Sequence, residues 1–134
     1  MELYDSVSEV IELSLPANAA YVSAARLTAS SIANRVNFDI DEIEDIKSAV
    51  SEACAFLIKT LPHDLKAAFK IKFSLGDAYL EIDFYLKTDG NFTYSEDDMS
   101  VLMIKGLVDS FETNSQPTGF TMKIRKTHKV VSFD

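Results

Sequence analysis

Glu52, Cys54 and Phe56 fall within six residues of one another in the segment Asp41–Leu61, DEIEDIKSAVSEACAFLIKTL, and bound the chemistry this chain can perform. Around them Ile40, Ile43, Ile46, Val50, Cys54, Leu57 and Leu61 recur at three- and four-residue steps, which makes one apolar stripe on an α-helix. Cys54 lies on that stripe, where a buried inert thiol is expected rather than a nucleophile, a metal ligand or half of a disulfide. Glu52 and Phe56 lie off its centre. Four residues apart, they are neighbours on one side of the helix, yet a carboxylate and a phenyl ring share no metal or phosphate chemistry. The two histidines, His63 and His128, are too isolated to define a metal site.

The elements that must position these residues follow from periodicity. Ile11, Leu13 and Leu15 alternate with Glu12 and Ser14 as a half-buried strand ending at Pro16. Asn18 is an expected cap. Tyr21, Val22, Ala25, Ala29, Ile32, Ala33 and Val36 occupy one third of a helical circle, so residues 21–36 read as a one-sided helix. A second helix begins after Asn37 and Asp39, its first turns rich in Asp41, Glu42, Glu44 and Asp45, and Pro62 ends it. Phe69, Ile71, Phe73 and Leu75, then Leu80, Ile82, Phe84 and Leu86, alternate on either side of Gly76-Asp77 and predict a hairpin. Ser95, Asp97 and Asp98 open a third helix, in which Met99, Met103, Ile104, Leu107, Val108 and Phe111 imply deep burial. Thr113 to Gly119 reads as a polar turn, Phe120, Met122 and Ile124 as a strand, and Val130 to Phe133 as its extension or pairing partner. The order β-α-α-β-β-α-β suits an α+β sandwich, with an antiparallel or mixed sheet covered on one face by helices.

At 134 residues, 47% of them hydrophobic, the chain is expected to form a single domain, 1–134, with its own core. It holds no apolar run long enough for a membrane span, and the acidic start MELYDSVSEV does not resemble a signal peptide, so a cytoplasmic location is expected. A net charge of −8 argues against direct nucleic-acid binding. The acids Glu42, Glu44, Asp45 and Glu96 to Asp98 either steer a basic partner or form a solvated face.

Glu44 to Cys54, EDIKSAVSEAC, resembles the N-box helix of the anti-sigma factor serine kinases, the RsbW and SpoIIAB type within the GHKL ATPase superfamily. Leu13 to Leu27, LSLPANAAYVSAARL, resembles that family's first strand and helix, and the likeness spans residues 8 to 127. The resemblance implies a GHKL (Bergerat-like) α/β sandwich, its mostly antiparallel sheet carrying about three helices on one face.

The family's ATP motifs are another matter. By resemblance Glu52 matches the N-box general base, but Phe56 stands where an asparagine holds Mg²⁺. A phenyl ring offers no oxygen to a cation that demands oxygen ligands. The strand Tyr79 to Lys87 passes through Leu86 where the family places an adenine-binding aspartate, and only Thr88-Asp89-Gly90 substitutes for the glycine-rich turn. Ser95-Glu96-Asp97-Asp98 replaces the glycines that wrap the triphosphate, and Thr88 to Tyr94 is too short for a lid. Glu52 is therefore either a vestigial base or an ordinary paired helix residue, and a degenerate site is expected near Glu52, Phe56, Asp89 and Gly90. No catalytic residue, cofactor or metal is expected, with ATP and Mg²⁺ binding lost.

A retained function would then reside on a protein-binding surface. Opposite the buried stripe of the first helix lie Ser23, Leu27, Ser30, Ser31 and Asn34, with Leu27 as an exposed apolar anchor. Arg26 aligns with an arginine that in the family contacts both sigma factor and antagonist, and arginine is enriched at energetic anchors; it can equally snorkel along the core edge. The resemblance implies an anti-sigma-factor-like protein that binds a sigma factor or a STAS-type anti-anti-sigma protein, and a homodimer. The alternatives are an active ATP-dependent serine kinase, or a small-molecule sensor using a vacated pocket lined by Phe56.

Overall fold

The computed structural model describes residues 9–129 except positions 62 and 65. The chain runs through β1 (Glu9–Pro16), a 3-10 turn (Ala19–Tyr21), α1 (Val22–Ala33), α2 (Ile40–Thr60), β2 (Ala68–Leu75), β3 (Tyr79–Lys87), α3 (Met99–Leu107), β4 (Ser110–Gln116) and β5 (Gly119–Thr127). The five strands form one sheet in the order β1-β2-β3-β5-β4. Every pairing is antiparallel. This is the α+β architecture the periodicities imply.

Alternation decides which face of the sheet is dry. Phe69, Ile71 and Phe73 on β2, Leu80, Ile82, Phe84 and Leu86 on β3, and Phe120, Met122 and Ile124 on β5 are all buried. The residues between them are polar or charged and face away. The helices supply the other half of the core. Ala25, Ala29 and Ala33 on α1, with Ala49 and Ala53 on α2, are fully buried, and such small residues let the two packed helices approach closely.

The start of α2 is fixed by reciprocal capping. Asp39 Oδ1 accepts from the Glu42 amide at 2.8 Å and Glu42 Oε1 accepts from the Asp39 amide at 2.9 Å. The same Glu42 carboxylate accepts from His128 Nδ1 at 2.6 Å and from the Lys129 amide at 2.9 Å, which ties the end of β5 to α2. Burial pushes the Glu42 carboxyl up, but the Asp39 and Lys129 amides and His128 outweigh it, so its pKa lies below the usual glutamate value.

Several expectations need correction. Tyr21 belongs to the 3-10 turn, capped by Asn18, and is 43% exposed. Helix α1 ends at Ala33, although Val36 remains buried. Ile40, the first residue of α2, is 78% exposed because the stripe does not reach the core until the next turn. Helix α3 begins at Met99 rather than Ser95 and stops at Leu107, so residues 88–98 form the connection and Phe111 lies on β4. Only Val101 and Ile104 of α3 are buried, because a surface helix has one inward side. Most of the expected polar turn Thr113 to Gly119 is strand; only Pro117 and Thr118 turn. The segment SFETNSQ lacks apolar alternation, and its pairing with β5 supplies what its composition does not signal. Pro62 and Val130 to Phe133 lie outside the described residues.

Candidate functional site

Phe56 faces the sheet from α2 and is 3% exposed. Tyr94 meets it edge-on, with ring centroids 5.9 Å apart. Tyr94 and Phe92 in turn pack edge-on against Phe120 of β5, at 6.3 Å and 6.2 Å. Such pairs contribute about 0.5–1.5 kcal/mol each beyond area burial. Two polar contacts hold the aromatic connection in place: Tyr94 Oη lies 2.9 Å from Thr113 Oγ1, and the Phe92 amide donates to Ser115 Oγ at 2.8 Å. Between α2 and the sheet, then, Phe56, Phe92, Tyr94 and Phe120 form a continuous aromatic cluster.

Glu52, one turn earlier on α2, accepts a hydrogen bond from Ser100 Oγ at 2.8 Å. Asp98 caps α3, its Oδ1 accepting from the amides of Ser100 at 2.9 Å and Val101 at 3.3 Å. The amides at this helix start are thereby engaged by a carboxylate, and Glu96 pairs with Lys105 at 2.8 Å. Glu44 pairs with Lys47 and Asp45 with Lys126, each at 3.2 Å. With Glu42 committed to its cap, most of these acids answer to the chain's own cations and amides rather than forming one field for a basic partner.

Thr88-Asp89-Gly90 is a turn joined to the β4–β5 hairpin. The Gly90 amide donates to the Pro117 carbonyl at 2.8 Å, and Gly90 adopts a φ of +99°, which favours glycine. Asp89 lines a cleft of about 330 Å³ with His63, Asp64, Lys66, Ala67 and Lys87. Glu52 lines a different one. Of the four residues expected to mark a degenerate nucleotide site, Glu52 and Asp89 line different clefts, Phe56 lies in the aromatic cluster and Gly90 in a turn.

The cleft at Glu52 measures about 290 Å³ and is lined by Arg26 from α1, by Glu44, Lys47, Ser48, Ser51 and Glu52 from α2, and by Met103 from α3. Arg26 is exposed and makes no ion pair among the described residues. Leu27 beside it is 64% exposed and Ser23 is exposed, whereas Ser30 is half-buried and its carbonyl accepts from the Asn34 amide group. Met103, which lines the cleft from α3, is 50% exposed, and Met99 and Leu102 on the same helix are 73% and 48% exposed. Met99 and Met103 were expected in the core. An all-round apolar helix gives no clue to which side is left outside. Ser48 and Ser51 escaped notice too; their only signal is a small polar residue opposite the apolar stripe of α2.

Cys54 is fully buried, and desolvation pushes its thiol up to about 12. Its role is packing. Among the described residues no group of three or more His, Cys, Asp or Glu side chains is arranged to hold a metal ion. No helix among them is long and apolar enough to cross a membrane.

No family model matches the sequence. Over 74 residues, 55% of this chain, it is 42% identical to proteins named serine-protein kinase RsbW from Bacillus thuringiensis (strain Al Hakam), Bacillus cereus (strain B4264) and Bacillus anthracis (strain A0248). The match spans 46% of each relative's length. In fold, the chain is similar over 93% of its length to the crystal structure of the RsbU and RsbW domains of a Mycobacterium tuberculosis protein, with a TM-score of 0.67 at 16% identity and 35% of that chain covered. The chain is therefore a relative of the RsbW-type serine-protein kinases, in sequence over just over half its residues and in fold over nearly all of them.

Proposed function

We propose that this protein is an anti-sigma-factor-like regulator that binds a sigma factor or a STAS-type anti-anti-sigma protein without hydrolysing ATP or phosphorylating its partner. The observation that carries this reading is the aromatic cluster at Phe56. By resemblance that position bears the Mg²⁺ ligand of the nucleotide site, and here it bears a ring packed on Tyr94. The residues present do not fit a magnesium-bound triphosphate: the N-box position lacks an oxygen, Asp98 engages the α3 amides that would meet phosphate, and Glu52 is hydrogen-bonded to Ser100. Phe56 packs on Tyr94 rather than facing open space, which also disfavours a sensor built around it.

The binding surface in this reading is the face formed by α1 and α3 around the Arg26 cleft. Arg26 supplies an unpaired cation, Leu27 and the three apolar residues of α3 supply exposed area, and Ser23 and Ser30 are short side chains that lose little entropy on contact. A homodimer and a cytoplasmic setting belong to the same reading. Active serine kinase activity is the second reading, favoured by the activity for which the relatives are named and by the retained Glu52. Co-purification of the full chain with its partner tests the surface. Arg26→Ala and Leu27→Asp should each lower partner recovery about tenfold or more while leaving unfolding stability within about 0.5 kcal/mol; undiminished recovery in both variants refutes it.

A further inference from the structure

The outward face of the sheet carries a row of alternating charge. In register across the five strands stand Glu12, Lys72, Asp83, Lys123 and Glu112. Opposite charges on paired strands stabilise a sheet. Lys123, however, leans inward along the row, to Glu81 at 3.3 Å and Asp83 at 3.9 Å. Glu112, on the edge strand β4, is exposed and makes no ion pair among the described residues.

Strand β4 is also an unprotected edge. Ser110–Gln116 contains no lysine, no proline and no bulge, since its register with β5 is one-to-one throughout. Natural edges that are to stay unpaired carry such devices. Among the described residues no backbone other than β5 bonds to β4, and the aromatic connection reaches it only through the Thr113 and Ser115 side chains. On the inner side of the same edge, Phe111 and Val108 line a cleft of about 250 Å³ with Lys105, Asp109 and Ser110, and the Lys105 ammonium lies 5.4 Å from the Phe111 ring centroid.

We propose that β4 is a docking edge that takes an extended segment of a different protein as a sixth strand, with a basic residue opposite Glu112 and an adjacent apolar residue entering the Phe111–Val108 cleft. Successive strand residues point to opposite faces, so a basic–apolar pair satisfies both features at once. A second copy of this chain does not meet the requirement. The two edge strands, EVIELSLP and SFETNSQ, contain no cation to place beside Glu112.

The test is an NMR titration of the full chain with two synthetic seven-residue peptides of threonine and valine, one carrying a central Lys-Val pair and the other Glu-Val. The Lys peptide should shift the amides of residues 110–116, slow their hydrogen exchange, and bind about fivefold more tightly than the Glu peptide. The Glu112→Lys variant should reverse that order, an outcome that loss of folding cannot mimic. No binding at millimolar peptide, shifts that map to β1 or to the Arg26 cleft, equal affinities of the two peptides, or sedimentation showing that β4 is already occupied by a second copy would each overturn the proposal. Apart from shifts at the Arg26 cleft, none of these outcomes bears on the α1–α3 surface.

Discussion

At position 56 a phenyl ring occupies the place where the family resemblance puts an oxygen ligand, and its neighbours have been chosen to suit the ring. Tyr94 and Phe120 complete a packed aromatic cluster, so Phe56→Ala should leave a cavity and lower unfolding stability by about 3 kcal/mol in urea titrations. A loss under about 1 kcal/mol would mean that the ring is not part of the core. Glu42 carries a different kind of commitment, since its carboxylate is bonded in the folded chain and its pKa is lowered. As pH falls below about 4.5 the unfolded chain takes up a proton there before the folded one does, so this contribution is complete above that pH and lost as pH drops toward the folded value. Between about pH 7 and pH 3.5, wild type should lose more stability than Glu42→Gln; equal losses would contradict the assignment. Glu52 and Phe56 stood out only through the resemblance of Glu44 to Cys54 to the N-box helix. Their partners Ser100 and Tyr94 did not, because contacts between residues so far apart in sequence leave no periodic trace.

Among the elements, α2 was the most legible, since the apolar stripe from Ile43 onward and the acid-rich first turns after Asp39 define its face and its start. Helix α3 was read too long at its C-terminal end, whereas Asp98, one of the three residues expected to open it, is its cap. Asp98→Ala should cost about 1 kcal/mol and speed amide exchange at Ser100 and Val101. Unchanged exchange there would show that the helix start is held by other contacts. Its apolar residues Met99 and Met103 were assigned to the core because periodicity reports how much of a helix is apolar, not whether a neighbour covers it. Strand β4 was invisible for the opposite reason: Glu112, Asn114 and Gln116 face solvent, and between them Thr113 and Ser115 are polar on the inner side as well. Only its pairing with β5 makes it a strand.

For the whole molecule, the sheet and helices share the fold of the RsbU and RsbW domain structure, and the position where the sequence resemblance implies a nucleotide site holds the chain's own packed side chains. The fold was recoverable from sequence because hydrophobic alternation on β2, β3 and β5 and the helical stripes of α1 and α2 each bury a defined face. The candidate surface was recoverable only on its α1 side, at Arg26 and Leu27. Its α3 side depends on how one short helix sits against α2. In the proposed reading, such a molecule binds partners through preformed surfaces and has no switch driven by triphosphate turnover. Calorimetric titration of the intact chain with MgATP tests that claim most directly. No saturable heat is expected up to millimolar nucleotide; binding with micromolar affinity, abolished by Glu52→Ala, would show that the nucleotide site still works.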